Sequence, residues 1–261
     1  MNREDSEFVI EGENCFCEIH QMYYTDRKCL IPGKGYQSLG CPYCHSIGPK
    51  KDAEAKRKES RDNFIGSLKD MERVWGHPPV PVIYQRMTLS AYQPVSEEDW
   101  ACLSIAKNYV DAVVHIQTTR SLLFYGDSGV GKTHLAVAIL NSLLKQRVRG
   151  FYCTALEIIQ RIRASWYSEE HYESTQLMQF LVSLPVLIVD GLGDSKVIQC
   201  QPRNRMILHT VIEMRMLNGK PTIFCTRLSS FGLTEILDES TVRLLLDYCT
   251  TVLVTKCDLN G

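Results

Sequence analysis

Five short apolar runs alternate with amphipathic stretches in the second half of the chain. The runs span residues 121–125, 151–154, 185–190, 222–225 and 251–255. The run at residues 185–190 is continuously apolar until its final Asp, as expected of a strand buried on both faces. The intervening stretches repeat apolar residues at helical spacing, and they span residues 132–147, 156–162, 165–184, 202–217 and 233–246. This alternation predicts an α/β fold in which helices cover both faces of a five-stranded parallel sheet.

The chain before this pattern has a different character. Residues 50–74 begin with a densely charged run and continue with apolar residues at helical spacing, which predicts a solvated connecting helix. Contact between the basic face of this helix and nucleic acid is the alternative interpretation. The sequence His-Pro-Pro-Val-Pro at residues 77–81 ends the helix and marks a domain boundary, because proline and the residue before it disfavour helix. A further helix is predicted over residues 97–117.

Composition places the protein in a reducing compartment and gives no sign of a membrane segment. The net charge of the 261 residues is −1, so any contact with nucleic acid must come from a local basic patch. The polar N-terminus lacks the apolar core of a signal peptide, and no apolar run approaches the ~18–20 residues that span a bilayer. We therefore expect a cytoplasmic location, where the eleven cysteines are metal ligands or buried small side chains rather than disulfides.

The first 45 residues are rich in potential zinc ligands. Two pairs, each with two residues between the ligands, form the predicted tetrahedral site: Cys17, His20, Cys41 and Cys44. Such spacing lets one turn present both side chains to a single Zn²⁺. Cys15, Cys29 or His45 are alternatives to His20. A structural metal is also expected on energetic grounds, because a segment of ~35 residues buries too little apolar surface to fold alone.

A glycine-rich turn between the run at residues 121–125 and the following helix fits the pattern G-x-x-x-x-G-K-[ST]. This pattern predicts a phosphate-binding loop, because glycines let backbone N–H groups converge on phosphate oxygens at a helix N-terminus. Lys132 is expected to reach the outer phosphates, and the Thr133 hydroxyl to ligate Mg²⁺. The predicted ATP-binding residues are Gly126, Asp127, Ser128, Gly129, Val130, Gly131, Lys132, Thr133 and His134.

Candidate acidic residues for nucleotide hydrolysis lie at the end of the run at residues 185–190 and just beyond it. Asp190 ends that strand and is predicted to be the carboxylate on the Mg²⁺ side, in a Walker B arrangement. The next position, where hydrolysis usually places a second carboxylate, is Gly191, and Asp194 is the nearest substitute. Nucleotide binding is therefore better supported than fast turnover. Thr226 and Arg227 follow another strand, where a polar group would either contact the γ-phosphate or form an ordinary turn.

An arginine late in the chain is a candidate for completing the site of a neighbouring subunit. Arg243 precedes three leucines in a predicted helix, which would anchor it. It serves either as an arginine finger in a homo-oligomer or as one half of a surface ion pair. The residues predicted to be catalytic are thus Lys132, Asp190, Asp194 and Arg243.

Taken together, the chain resembles the DnaC-type helicase loaders, close to the DnaI and IstB ATPases of the AAA+ class. The resemblance is carried by the Cys17/His20 and Cys41/Cys44 pairs, the loop that runs on as His-Leu-Ala at residues 134–136, and residues 187–193. It implies a P-loop AAA+ sheet without a C-terminal lid, ATP and Mg²⁺ as cofactors, and a replicative helicase and single-stranded DNA as partners. Arg161, Arg163, Trp166 and Tyr167 would suit strand binding; the alternative interpretation is a solvated helix face with a buried Trp.

The resemblance implies three segments and leaves three functions open. The segments are a zinc-binding module at residues 1–48, a helical linker at residues 49–81 and an AAA+ ATPase domain at residues 82–261. The expected function is ATP-dependent loading of a replicative helicase onto single-stranded DNA, with the zinc module contacting the helicase. The alternatives are an IstB-type transposition helper and a nucleotide-binding adaptor with little hydrolysis.

The zinc assignment predicts a change in metal content on substitution of Cys41. A serine hydroxyl is a poor zinc ligand, so C41S should lower the zinc bound per chain by at least about tenfold under mild chelation. Elemental analysis of the purified full chain measures this. Unchanged zinc content would remove Cys41 from the ligand set, and a parallel loss in C29S would bring Cys29 into it.

Overall fold

The computed structural model describes residues 9–17, 22–31, 35–38, 50–116, 118–166, 172–193 and 201–255. The chain divides into two compact units, residues 1–65 and 66–261. The segment limits expected at residues 48 and 81 stay predictions. No helix in the described ranges is long and apolar enough to cross a membrane.

The first unit contains three antiparallel strands. They are β1 (Val9–Cys17), β2 (Met22–Ile31) and β3 (Gly35–Ser38), paired in that order. Cys17 ends β1, whereas His20, Cys41 and Cys44 lie outside the described residues. The predicted zinc site is therefore a prediction still. Helix α1 (Lys50–Trp75) contains the boundary between the two units.

The second unit is built on a five-stranded parallel sheet, which confirms the predicted α/β fold. Its strands are β4 (Ser121–Tyr125), β5 (Gly150–Thr154), β6 (Val186–Asp190), β7 (Thr222–Thr226) and β8 (Cys249–Leu253). Their order across the sheet is β5-β6-β7-β4-β8, and every pairing is parallel. All five carboxyl ends consequently lie at one edge of the sheet.

Helices cover both faces of this sheet. They are α2 (Glu97–Asp111), continued by a π-helical turn (Ala112–Ile116), α3 (Lys132–Lys145), α4 (Ala155–Ser165), α5 (Tyr172–Ser183), α6 (Pro202–Leu217), α7 (Ser230–Ile236) and α8 (Glu239–Tyr248). A short 3₁₀ turn (Val82–Tyr84) precedes α2. Successive strand residues point to opposite faces, so Leu123 packs in one core cluster while Leu122 and Phe124 pack in the other. The broken helix predicted at residues 233–246 is confirmed as two helices, α7 and α8.

A buried arginine on α6 ties the amino-terminal edge of the sheet together. Arg215 is fully buried, and its Nη1 donates to the carbonyl oxygens of Leu181 and Leu184 at 2.5 and 3.0 Å. Its Nη2 donates to the carbonyl oxygen of Pro221 and its Nε to the Thr222 hydroxyl, both at 2.8 Å. Burial lowers the pKa of Arg215 to about 9, which leaves the guanidinium charged at neutral pH. The planar fork of donors thus links α5, α6 and the start of β7.

Replacing Arg215 with lysine should lower the free energy of unfolding by about 3 kcal/mol. Lysine keeps the charge but lacks the planar fork, so buried carbonyl oxygens lose partners at about 1–3 kcal/mol each. Urea unfolding of R215K measures the loss. The matched control is R203K, on an exposed position in the first turn of the same helix, which we expect to change stability by less than about 0.5 kcal/mol. Equal losses in the two variants would contradict this role.

Candidate nucleotide site

The loop between β4 and α3 has a backbone that requires glycine. Gly126, Gly129 and Gly131 adopt φ angles of +143°, +80° and +99°, in the region that side chains disfavour. A Cβ on Gly126 would overlap the carbonyl oxygen of Val254. The Val254 N–H donates to the backbone carbonyl oxygen of Tyr125 at 2.8 Å. The loop is therefore pressed against the chain that follows β8, and its first glycine is fixed by contact as well as by conformation.

The N-terminus of α3 is suited to an anion. Gly131 occupies the N-cap position without a capping side chain, and the first turn of this helix has no acidic residue. The backbone N–H groups of that turn and the helix dipole both favour negative charge. Lys132 is 8% exposed, and its ammonium donates to the carbonyl oxygens of Gly126 and Asp127 at 2.9 and 2.5 Å. The positive charge thus lies inside the loop that was predicted to hold phosphate.

Asp190 lies beside this helix N-terminus and accepts three hydrogen bonds. Its Oδ2 accepts from the Thr133 hydroxyl at 2.9 Å and from the Tyr152 hydroxyl at 2.8 Å. Its Oδ1 accepts from the N–H of Gly191 at 2.8 Å. The structure therefore brings together the two residues predicted as magnesium ligands, Thr133 and Asp190, although they are 57 positions apart.

Tyr152 is a site residue that the sequence pattern did not identify. It lies on β5 and is 4% exposed. Burial, followed by the negative charge of Asp190, raises the pKa of its phenol well above the ordinary value, so the hydroxyl stays protonated and acts as a donor. The pattern alone shows only a tyrosine in an apolar run; the signal that points to it is the pairing of β5 with β6.

The stretch before α2 supports the loop from outside. The ring of Tyr92 is edge-on to His134, with centroids 5.6 Å apart, and it also lies against Gly131. His134 Nε2 is 3.0 Å from the carbonyl oxygen of Thr88. The Asn141 amide donates to the carbonyl oxygens of residues 84 and 87 at 3.2 and 2.7 Å. His134, predicted to bind ATP, therefore packs against this stretch from the first turn of α3.

The other predicted site residues lie in different settings. Asp194 is outside the described residues. Thr226 is buried and donates to the carbonyl oxygen of Leu192 at 2.6 Å, which favours an ordinary strand-end turn, while Arg227 is exposed. Arg243 is exposed on α8 and lies 3.9 Å from Asp247; an ion pair between two such exposed side chains contributes little to stability.

One candidate for single-stranded DNA binding is engaged in internal packing. The Arg161 guanidinium lies 5.1 Å from the ring centroid of Trp75 and pairs with Glu157 at 3.5 Å. Trp166 is 40% exposed, and residue 167 lies outside the described residues. Arg161 therefore stabilises the contact between α1 and α4 and is not part of a solvated helix face, and Trp166 is not the buried Trp which that interpretation requires.

The residues at the loop fit a nucleotide with magnesium. A hydroxyl and a carboxylate oxygen 2.9 Å apart are the hard oxygen ligands that Mg²⁺ takes, alongside water and phosphate oxygens. In the described part of the chain, no cluster of three or more His, Cys, Asp or Glu forms an all-protein metal site. The donor set therefore suits an ion that arrives with phosphate and not a closed structural metal site.

The geometry at the loop predicts unequal effects of alanine at two of its glycines. G126A should lower the free energy of unfolding by about 3 kcal/mol or more, because the new methyl group overlaps a backbone carbonyl that cannot rotate away. G129A is the matched control: its φ is also positive, but no heavy atom lies within 4 Å of the added Cβ. It should cost about 1 kcal/mol. Urea unfolding without nucleotide measures both, and equal losses would contradict the contact with Val254.

Solved replication proteins share this fold. The crystal structure of the DnaC helicase loader matches with a TM-score of 0.60 and 25% identity, covering 67% of this chain and 99% of that chain. The crystal structure of DnaI matches with a TM-score of 0.56 and 20% identity, covering 69% and 93%. The structure of AMPPCP-bound DnaA from Aquifex aeolicus matches with a TM-score of 0.54 and 18% identity, covering 64% of this chain and 50% of that chain. These matches confirm a sheet of the P-loop AAA+ type.

Curated relatives and a family model agree with the fold. The replicative helicase loader DnaC of Escherichia coli strain K12 is 25% identical over 191 residues, which is 73% of this chain and 75% of that protein. DnaC of Buchnera aphidicola subsp. Schizaphis graminum is 22% identical over 173 residues, 66% of this chain and 68% of that protein. The family model described as IstB-like ATP binding protein matches residues 54–247. The chain therefore belongs to the family of IstB-like ATP binding proteins.

Proposed function

We propose that this protein is an ATP-dependent loader that binds a replicative helicase and places it on single-stranded DNA. The observation that carries the proposal is the grouping of Lys132, Thr133 and Asp190 at one helix N-terminus, in a chain similar to the helicase loader DnaC over 73% of its length. A nucleotide site on this scaffold gives the protein two states, with and without ATP. Loading requires such states, because the helicase must be held and then released.

Each side chain at the loop has a defined task in binding ATP. Lys132 neutralises phosphate charge, and the uncapped N–H groups at the start of α3 donate to phosphate oxygens. Thr133 and Asp190 hold Mg²⁺ through the two oxygens that the fold places 2.9 Å apart. Bound magnesium offsets the negative charge that develops on the phosphates during transfer. The residues at 126–134 thereby bind and orient the nucleotide.

Hydrolysis by this site is slow unless a partner stimulates it. Gly191 occupies the position after Asp190 and adopts φ = +68°, so this position offers a backbone N–H and no carboxylate. Asp194, which directly follows Gly193, is the proposed water-orienting group. A hydrolysis step that depends on a distant carboxylate suits a switch, because partner binding can set when that carboxylate is in place.

A second copy of the chain completes the site in this proposal. Arg243 projects from a helix that is fixed by buried Val242 and Leu245, and it remains exposed at the surface. Contributed to the nucleotide of a neighbouring protomer, it stabilises the charge on the transferring phosphate. The protein therefore acts as a homo-oligomer.

The N-terminal part supplies contact with the partner in this proposal. Cys17, His20, Cys41 and Cys44 hold Zn²⁺, and the module at residues 1–48 docks on the helicase while residues 82–261 form the ATPase domain. Single-stranded DNA is bound by the ATPase domain, and the protein works in the cytoplasm. The second candidate function, helping a transposase, is favoured by one observation: the family model is that of an IstB-like protein.

The loader proposal predicts that Lys132 is required for nucleotide binding and for loading. K132A removes the buried ammonium from the phosphate loop and should weaken ATP binding at least about 100-fold, since several kcal/mol of charge-assisted contacts are lost. Binding of a fluorescent ATP analogue to the full chain measures the first effect. Transfer of the cognate replicative helicase onto single-stranded DNA measures the second, and it should fall to background.

The matched control is K145A, at an exposed position in the last turn of the same helix, which should bind ATP like the wild type. Co-purification with a transposase and not with the helicase would overturn the loader function in favour of the transposition helper. Nucleotide binding without hydrolysis, even with helicase and single-stranded DNA present, would favour the adaptor.

A further inference from the structure

The phenol of Tyr152 is placed to control the orientation of Asp190. Its hydroxyl donates to Oδ2 at 2.8 Å, and this is the same oxygen that accepts from Thr133 at 2.9 Å. The N–H of Gly191 holds the other carboxylate oxygen. Turning the carboxylate plane away from its present orientation would weaken all three hydrogen bonds at once, so Tyr152 helps to hold that plane with one oxygen directed at Thr133.

Tyr152 is in turn held by the stretch between α1 and α2. Its backbone N–H donates to the carbonyl oxygen of Pro79 at 2.9 Å. Its ring packs edge-to-face on Tyr84, with centroids 5.3 Å apart and planes at 69°. Tyr152 therefore contacts residues 79–84 with its backbone and ring, and Asp190 with its hydroxyl.

We propose that Tyr152 is a positioning residue for magnesium binding, and that it couples the stretch at residues 79–84 to the Asp190 carboxylate. This inference rests on the nucleotide site of the proposed function. Groups that orient a metal-binding carboxylate tune metal affinity without contacting the ion. A movement of residues 79–84 shifts the Tyr152 ring, and the hydroxyl then releases or reorients the carboxylate. The stretch that leads out of α1 consequently acts on the magnesium affinity of the site.

The buried phenol is suited to this task because its rigid ring holds the hydroxyl oxygen at a fixed distance from the strand, within 2.8 Å of Asp190. A serine or threonine on β5 would not span the same gap between strand and carboxylate. Because tyrosine is long, its hydroxyl reaches from β5 to Asp190 on β6 while its ring stays in contact with residues 79–84.

The test compares Y152F with the wild type in the full chain. The substitution removes only the hydroxyl and keeps the ring on Tyr84. The magnesium concentration for half-maximal binding of a fluorescent ATP analogue should rise about tenfold, while affinity for the analogue in EDTA should change less than about twofold. An unchanged magnesium dependence would overturn the inference. Loss of binding in EDTA as well would also overturn it, because it would indicate a general structural role.

The matched control is Y109F, which also loses one buried tyrosine hydroxyl. Tyr109 donates to the carbonyl oxygen of Arg120 at 2.9 Å and has no contact with Asp190. Its magnesium dependence should equal that of the wild type. An equal rise in Y109F would attribute the effect to lost stability and would contradict the role of Tyr152.

Coupling to the stretch is tested with Y84A alone and combined with Y152F. Removing the edge-to-face partner should raise the half-maximal magnesium concentration about threefold in the wild type, with no further rise when the Tyr152 hydroxyl is already absent. Equal rises in both backgrounds would contradict coupling through that hydroxyl. A wild type that binds no nucleotide would overturn the proposed function and this inference with it. Normal wild-type binding with an unaffected Y152F would overturn the inference alone.

Discussion

The parallel order of the strands is the constraint on which the site depends. Because all five strands run in the same direction, their carboxyl ends meet at one edge. Strand β7 separates β4 from β6, and its register places Leu123 level with Phe224 and Phe224 level with Val189. The loop after β4 and the carboxylate at the end of β6 therefore arrive at the same level. Helix α3 then needs only its first turn to bring the Thr133 hydroxyl to 2.9 Å from Asp190.

The hydrogen bonds to Asp190 explain how a carboxylate is maintained among apolar strands. Its four preceding residues on β6 are buried, and such surroundings disfavour charge. Two hydroxyl donors and one backbone N–H offset that cost, and the positive end of α3 lies next to it. The same contacts fix the orientation of the carboxylate, so the proposed magnesium ligand needs no reorganisation. Preorganisation of this kind reduces the free-energy cost of binding.

Apolar runs predicted the sheet because central parallel strands are buried on both faces, and the alternation of these short runs with helical stretches favoured strands over buried helix segments. Glycine spacing likewise predicted the phosphate loop, whose φ angles at Gly126, Gly129 and Gly131 are positive. The role of Tyr152 was not predictable in this way, because its hydrogen-bond partner is 38 positions away on a neighbouring strand. Strand order is set by tertiary packing, and local periodicity carries no information about it. Asp194 and all four proposed zinc ligands, Cys17, His20, Cys41 and Cys44, stay predictions from the sequence.

Two arginines in the second unit differ in burial, and this difference decides whether the side chain stabilises the fold or stays accessible to a partner. Arg215 donates four hydrogen bonds to internal oxygens, so its charge has a structural task within the chain. Among the described residues, Arg243 lies 3.9 Å from the exposed carboxylate of Asp247, and the helix that carries it is anchored by buried Val242 and Leu245. An anchored backbone with a solvated side chain loses little conformational freedom until it meets a partner. If a second protomer brings a phosphate group to it, as the proposed function requires, the free energy of a strong charge interaction is available for that contact.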